Sequence, residues 1–173
     1  MTHPVVPIAI SVLLPAEIAL KSLLVAGSIC SVVPDLDVIG LSFGLRYNSM
    51  FGHRGFTHSI LFAVALAAFV TFTAFNGTSQ NRLVVFFFLF LSTLSHPILD
   101  ALTNGGSGVG LLAPFSDRRY FFPWRPIEVS PIGMGFFSRR GLDVFLSELR
   151  WVWLPSSGFF LFGHFLKRMR VFA

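Results

Sequence analysis

Long apolar stretches alternate with short polar connections along this chain of 173 residues. The three most apolar stretches span about Val5–Val33, Phe56–Phe75 and Leu83–Leu102. A helix needs about 20 apolar residues to cross a bilayer, and each stretch is long enough. The pattern therefore predicts three membrane helices in an all-α fold. Pro34 predicts the end of the first helix, because the residue before a proline disfavours helical geometry.

The chain changes character after the third stretch. Ser107–Arg140 is a long loop rich in proline, glycine, aromatic residues and arginine, and loops of this length are usually functional. Leu142–Arg150 has the pattern of an amphipathic helix. Trp151–Leu166 is apolar, but Pro155 and Gly158 are expected to break it. This last stretch is either a fourth crossing or a re-entrant or interfacial segment, so we expect a helical bundle with about three to four membrane helices.

Composition agrees with a membrane protein. Hydrophobic residues make up 54% of the chain and charged residues 12%, whereas soluble domains carry about 25% charged residues. The sequence therefore predicts a single integral membrane domain, residues 1–173. The single cysteine, Cys30, excludes an intrachain disulfide and an all-cysteine zinc site. The net charge of +5 comes without a soluble surface of interleaved aromatic and basic residues, so nucleic-acid binding is not expected.

The distribution of arginine predicts the orientation of the helices. The connection between the first two apolar stretches and the long loop after the third are rich in arginine, whereas the short connection between the second and third holds only Arg82. Arginine-rich loops usually face the cytoplasm. We therefore expect a multi-pass protein whose first connection and long loop lie on the cytoplasmic side. The pattern gives no prediction of the oligomeric state.

Potential metal ligands lie mostly where apolar stretches begin or end. Seven such side chains occur: His3, Asp35, Asp37, His53, His58, His96 and Asp100. Antiparallel helices bring the ends of the three stretches to one membrane face, and with them every one of these side chains except His3. Ionisable groups are unfavourable in lipid, so their clustering indicates a shared polar site. Mixed imidazole and carboxylate ligands suit zinc, manganese or iron(II).

Spacing along the chain favours the metal interpretation. His96 and Asp100 are four residues apart on a helix, so their side chains project from one face. Asp35 and Asp37 lie in a turn that can present two carboxylates to one side. Each motif alone also fits a hydrogen-bonding or capping role. Their joint presence at one face, in a chain with only eight acidic residues, favours a metal site.

His3 is the outlier among these side chains. A straight helix over the first stretch would place it about 45 Å from Asp35, on the opposite side of the membrane. It can join the site only if Pro7, Pro15 or Gly27 bends the segment back.

These motifs together resemble those of a known family. Gly52-His53-Arg54-Gly55-Phe56-Thr57-His58-Ser59 reproduces the GHRGxTHS signature of the bacterial YdjM-like inner-membrane metal-dependent hydrolases. Pro34-Asp35-Leu36-Asp37 matches their PDxD motif, and Ser95-His96, Leu99-Asp100 and Thr103 match their SHxxxDxxT stretch. His3 matches a histidine near the amino terminus of the family. Val38 stands where many members carry a histidine, so a ligand count that relies on this position does not carry over.

The resemblance implies a metal-dependent hydrolase in the bacterial inner membrane, and the arginine distribution predicts that its site faces the cytoplasm. The order of the ligands is also similar to that of zinc-dependent phospholipases C and single-strand nucleases. This favours phosphoester hydrolysis at two or more zinc ions, with manganese or iron as alternatives. A site embedded in the membrane implies a lipid or lipid-linked substrate, because a soluble substrate would not need the bilayer. The residues expected to be catalytic are Asp35, Asp37, Arg54 and Asp100.

Arginine side chains are the expected binding groups for a substrate phosphate, because a planar guanidinium group can bind two oxygens at once. The candidates are Arg54, Arg118 and Arg119. The two arginines of the long loop equally fit a role as topology signals or as contacts to lipid headgroups.

Two other functions stay open at this point. A metal transporter or metal sensor would place its ligands near the bilayer midplane, whereas these lie at the ends of segments. A stress-response or scaffold protein with a structural metal would have a closed coordination sphere without an open position for water. Seven candidate ligands are more than one structural zinc ion needs.

Overall fold

A computed structural model describes residues 2–15, 18, 20–77, 81–131 and 138–171. This described part contains α-helices and shorter helical turns and no β-strand, which confirms the all-α prediction for it. The α-helices are α1 (Val5–Ile10), α2 (Leu20–Cys30), α3 (Val38–Ser42), α4 (Ile60–Ala74), α5 (Arg82–Ala101), α6 (Arg139–Glu148) and α7 (Leu154–Val171). Turns of 3-10 helix cover Ser11–Leu13, Val33–Asp37 and Phe56–His58, and a π-helical segment covers Leu149–Trp153.

The core of the molecule lies between α2, α4 and α5. The helices α4 and α5 pack along each other, and α2 packs against α5. Leu23 and Leu89 are fully buried there, with Ala67 and Val85 beside them. Large apolar side chains such as Phe69 remain exposed on the outer faces, which suits contact with lipid.

Two helical stretches are long and apolar enough to cross a membrane, namely Lys21–Ser42 and Arg82–Ala101. The helix α4 is apolar as well, but its 15 residues are fewer than the roughly 20 of a straight crossing. Among the described residues, two of the expected three to four membrane helices are therefore supported by length and composition.

The first apolar stretch, Val5–Val33, is not the single helix that the sequence predicts. The helix α1 gives way to a 3-10 turn after Ile10, and Leu14 is extended, with ψ 142°. Pro15 follows Leu14, and a residue before a proline disfavours helical geometry. Helical structure resumes at Leu20. Because of this break, α1 packs beside α2 and α5 instead of extending away from them.

The prediction for the last apolar stretch is also wrong, because Pro155 and Gly158 do not break it. The chain continues from α6 through the π-helical segment Leu149–Trp153 into α7. A proline inside an α-helix lacks one hydrogen-bond donor and clashes with the carbonyl four residues earlier. The wider π turn immediately before Pro155 relieves both conflicts. Gly158 is exposed within α7, where glycine weakens a helix by about 1 kcal/mol without ending it.

Candidate metal centre

Three separate stretches of chain bring histidine and aspartate side chains together at one end of the helices. Asp35 and Asp37 come from the 3-10 turn after α2, His53 and His58 from the segment before α4, and His96 and Asp100 from the last turns of α5. Among the described residues, these side chains form two groups, and within each group the potential ligand atoms all lie within 4.8 Å of one another. The first group is Asp35, His58, His96 and Asp100, and the second is Asp37, His53 and His58. This buried cluster can hold a metal ion.

The atoms of the first group converge on a single point. The Nε2 atoms of His58 and His96 lie 3.1 Å apart. His96 Nε2 is also 3.3 Å from Asp35 Oδ1, and His58 Nε2 is 3.3 Å from Asp100 Oδ2. Two imidazole nitrogens and two carboxylates around one point form a mixed donor set of the kind that binds zinc.

Hydrogen bonds at the far side of each ring fix which nitrogen faces this point. His96 Nδ1 lies 2.7 Å from the carbonyl oxygen of Ser31, which only accepts, so Nδ1 carries the proton. His58 Nδ1 lies 3.2 Å from the Asp37 carboxylate. Both rings therefore direct Nε2 toward the centre. Metal-binding histidines usually have such a partner at their other nitrogen.

Asp37 is the partner of several groups at once. Its carboxylate accepts hydrogen bonds from His53 Nδ1 at 2.7 Å, from Thr57 Oγ1 at 2.7 Å and from the backbone N–H of Arg54 at 3.1 Å. The contact to His58 Nδ1 adds a fourth donor. With its side chain only 3% exposed, Asp37 has little capacity left for a metal ion. Its geometry is that of a carboxylate that orients two histidines.

Arg54 is buried and is held by the same site. Its Nε lies 3.1 Å from Asp100 Oδ2, its Nη2 donates to Asp100 Oδ1 at 3.2 Å, and its Nη1 donates to Thr103 and to the carbonyl of Gly105. Its φ of 63° lies in the left-handed region, which is uncommon for residues other than glycine. At Gly55 a Cβ atom would collide with the carbonyl of Met50, which explains the glycine after Arg54.

His3 lies in the site, and the break after α1 is the reason. Its ring stacks on His96 with centroids 3.8 Å apart. Its Nδ1 is buried and has no hydrogen-bond partner among the described residues. Burial, reinforced by His96, lowers the pKa of His3 well below its usual value. The ring is therefore neutral at neutral pH, as a metal ligand must be.

A cavity of about 330 Å³ opens onto this cluster. His3, Asp35, His53, Arg54 and Asp100 line it, together with Thr2, Val38, Leu99, Thr103, Ile127, Glu128, Ser130, Pro131, Glu148 and Val152. The volume lies at the lower end of the range for small-molecule sites, about 300 to 1,000 Å³. A phosphate headgroup fits such a space, whereas a whole lipid does not.

Two acidic residues of the cavity, Glu128 and Glu148, are absent from the sequence-based candidates. Glu148 is buried on the same face of α6 as Gly141 and Val144, and this spacing was the available signal. Glu128 reaches the cavity because the long loop folds back onto the end of α5, where Thr103 and Ile127 form a bridge. No periodic pattern marks that contact in the sequence.

Arg118 and Arg119 do not line the metal cavity. Arg119 donates to the backbone carbonyls of Ser49 at 2.8 Å and His53 at 3.0 Å, so it holds the segment that carries the site. Arg118 is exposed. Of the three arginines predicted to bind a phosphate, the structure therefore brings only Arg54 to the metal cluster.

The donor set of this site fits a metal ion. Asp100 Oδ2 is buried without an aligned hydrogen-bond donor among the described residues, although Arg54 Nε and His58 Nε2 lie within ion-pair distance. Burial lowers the pKa of His58, but hydrogen bonds to Asp100 and Asp37 outweigh it and raise that pKa to about 9. The carboxylates that stabilise a proton on His58 would stabilise a metal cation at the same place.

The fold and the site define an all-helical protein with membrane-length helices and a buried cluster of histidine and aspartate. A family model described as "YdjM inner membrane protein" matches residues 1–168. The chain is also 41% identical over 171 residues to "Inner membrane protein YbcI" of Escherichia coli (strain K12), and the match covers 98% of each chain. The chain therefore belongs to the YdjM family of inner membrane proteins. No solved structure matches it.

Family membership confirms the predicted resemblance and the prediction of a membrane protein. The family and the relative are both named as inner membrane proteins, in agreement with the expected location. Neither name states a reaction or a metal. Hydrolase activity, zinc as the metal and the similarity to phospholipases C and nucleases stay predictions.

Proposed function

We propose that this protein is a metal-dependent hydrolase of the inner membrane that cleaves a phosphoester bond in a lipid or lipid-linked substrate. The observation that carries the proposal is that Asp35 and Asp100 of the donor cluster line a cavity of about 330 Å³. A catalytic metal site keeps an open position for water or substrate, whereas a structural site is closed. The clustering of the donors at helix ends, with the arginine-rich segments around them, supports a site that faces the cytoplasm.

His58, His96 and Asp100 are the proposed ligands of one zinc ion, and its fourth position, beside Asp35, is open to water. His3 and His53 line the same cavity and are the proposed imidazole ligands of a second. A bound zinc ion would lower the pKa of a water molecule and stabilise charge that develops on a phosphoryl oxygen. Manganese or iron(II) would suit the same mixture of donors.

Three side chains have the remaining roles in the proposed reaction, namely proton transfer, orientation of the histidines and binding of the headgroup. Asp35 is 43% exposed, the most accessible carboxylate of the first group, and is suited to accept a proton from water in the cavity. Asp37 orients His53 and His58 through their Nδ1 atoms. Arg54 holds Asp100 through both carboxylate oxygens and lines the cavity, where its positive charge favours an anionic headgroup.

The proposal is tested first by the metal content of the purified chain. We expect bound zinc in the wild type and its loss in His96→Ala and Asp100→Ala. His164→Ala is the matched control, because this exposed histidine of α7 lies outside the cavity. Metal-free wild type, or both mutants with the metal content of the wild type, would contradict a metal site.

Hydrolysis is tested separately with phospholipids and isoprenoid phosphates as substrates. We expect turnover by the zinc-loaded wild type, its loss with a chelator, and its recovery when zinc is added back. A chain that holds zinc but cleaves no member of this panel would contradict the proposed hydrolase and favour a structural metal. The complete burial of His58 and His96 is the observation that keeps the structural alternative open.

A further inference from the structure

A second cavity lies next to the metal cavity, along the line where α1 packs against α7, which we call the seam. Its volume is about 280 Å³. It is lined by Val5, Ile8 and Ala9 on one side and by Ser156, Ser157, Phe160 and Leu161 on the other. We call it the α1–α7 groove. The metal cavity is lined by the residues that precede these in the same two segments, namely Thr2 and His3 on one side and Glu148 and Val152 on the other.

The two cavities are neighbours along this seam. Val5 lies one helical turn after Thr2, and its backbone N–H donates to the Thr2 carbonyl at 2.9 Å. On the other side, Ser156 follows Val152 by four residues, which is about 6 Å along a helix. On both sides of the seam, the residues that line the two cavities are therefore about one helical turn apart.

The walls of the α1–α7 groove suit hydrocarbon. All its lining residues are apolar except two serines. Ile8 is 48% exposed and Leu161 is 65% exposed, so the groove is open along its side toward the surrounding lipid. The metal cavity, in contrast, is lined by carboxylates, imidazoles and a guanidinium group. The seam thus offers a polar compartment followed by an apolar one.

The far end of the α1–α7 groove is closed where α7 packs closely against the Ser11–Leu13 turn. A Cβ atom built on Gly163 would lie 2.7 Å from Val12, so glycine lets α7 touch the Ser11–Leu13 turn. Beyond this contact, Lys167 Nζ donates to the carbonyl of Leu14 at 2.5 Å. With this end closed, the open side of the groove is the one where Ile8 and Leu161 are exposed.

We infer that the α1–α7 groove binds the hydrocarbon chain of an amphiphilic substrate whose phosphate head lies in the metal cavity. This inference rests on the proposed function and names its substrate class, a phosphate ester that carries a long chain. A fatty alkyl chain and an isoprenoid chain present the same chemistry to the groove. A soluble phosphate ester would fill the polar compartment alone.

Photocrosslinking locates the chain directly. The probe is an alkyl phosphate with a photoreactive group in its chain, added to the zinc-loaded full-length protein in phosphatidylcholine nanodiscs. We expect labelling of the peptides that contain Val5–Ile10 and residues 156–161, and competition by unlabelled dodecyl phosphate. Labelling spread over the outer faces of α4 and α5 without competition would overturn the inference.

A blocked groove provides the second measurement. Ser157→Phe places a large side chain at the groove, and Gly158→Phe adds the same side chain at the next position, where a Cβ atom meets nothing within 4 Å. We expect Ser157→Phe to weaken dodecyl phosphate binding about tenfold and to leave methyl phosphate binding and zinc content unchanged, with Gly158→Phe like the wild type. Equal affinity of the wild type for methyl and dodecyl phosphate would overturn the inference.

Failure of this inference is distinguishable from failure of the proposed function. Methyl phosphate reports on the metal cavity alone, so normal methyl phosphate binding and turnover without a chain effect would refute only the groove. Loss of all phosphate binding in the zinc-loaded wild type would refute the proposed site itself. A parallel series with isoprenyl phosphate distinguishes an isoprenoid chain from a fatty alkyl chain. The phosphate with the preferred chain should bind more tightly and should lose more affinity in Ser157→Phe.

Discussion

At the scale of single residues, the site separates groups that face the metal cavity from groups that hold them. Asp37 belongs to the second kind, because four donors surround its carboxylate. The PDxD motif makes Asp35 and Asp37 equivalent in the sequence, and only the folded chain distinguishes the exposed carboxylate from the buried one. Sequence patterns can thus predict which residues gather at a site, but not which nitrogen or oxygen atom faces its centre.

Replacement of Asp37 by asparagine tests this assignment. We expect Asp37→Asn to weaken zinc binding by about 10- to 100-fold without changing the number of ions bound at saturation, because outer partners of ligating histidines contribute on this scale. The measurement is a chelator competition titration. Asp143→Asn, at an exposed carboxylate of α6, is the control. A lower ion number at saturation would instead identify Asp37 as a ligand.

The raised pKa of His58 predicts how zinc binding depends on pH. In the metal-free protein His58 is protonated below about pH 9, so zinc must displace one proton to bind its nitrogen. We therefore expect the zinc affinity to rise by about tenfold per pH unit on account of this group, up to about pH 9. Chelator competition at several pH values measures the slope. An affinity that is constant from about pH 6.5 to 8.5 would contradict a His58 ligand.

At the scale of elements, the long apolar helix α5 was the most predictable part of the fold, because its hydropathy is high along twenty residues and outweighs the competing signal of Pro97. The first apolar stretch was less predictable, because hydropathy favours one helix while Pro15 favours two. Tertiary packing decides for two, with α1 against α2, α5 and α7. Pro155 does not end the helix because a π turn precedes it, and no residue pattern predicts that turn.

Substitutions of Arg119 and Arg118 test whether Arg119 supports the segment that carries His53 or binds a phosphate. Arg119→Ala removes donors from the carbonyls of Ser49 and His53, and we expect a loss of about 1.5 to 3 kcal/mol in the free energy of unfolding. Arg118→Ala is the adjacent exposed control and should change it by less than about 0.5 kcal/mol. Denaturant unfolding in detergent measures both. A normal stability with weakened methyl phosphate binding in Arg119→Ala would favour the phosphate role.

At the scale of the whole molecule, the convergence of three chain segments was predictable, because antiparallel helices bring alternate ends to one face. The contribution of the long loop was not predictable. Glu128 reaches the cavity only because that loop returns to the end of α5, and such a contact depends on the complete fold. His3 is similar: its distance from Asp35 along a straight helix argued against it, and the break at Leu14 removes that objection.

The arrangement of α4 and α5 predicts that the two ends of this hairpin lie on opposite sides of the membrane. Asn48, exposed in the segment before α4, belongs to the end that carries the metal cluster, and Asn76, exposed after α4, belongs to the other end. With the cluster on the cytoplasmic side, a membrane-impermeant thiol reagent added outside bacterial spheroplasts should label Asn76→Cys and not Asn48→Cys. The wild type is the background control, because its single cysteine, Cys30, is buried. Labelling of Asn48→Cys alone would reverse the orientation and place the site outside the cytoplasm. Labelling of both positions from the same side would show that this hairpin does not cross the membrane, and a lipid substrate would then have to approach the α1–α7 groove from one leaflet only.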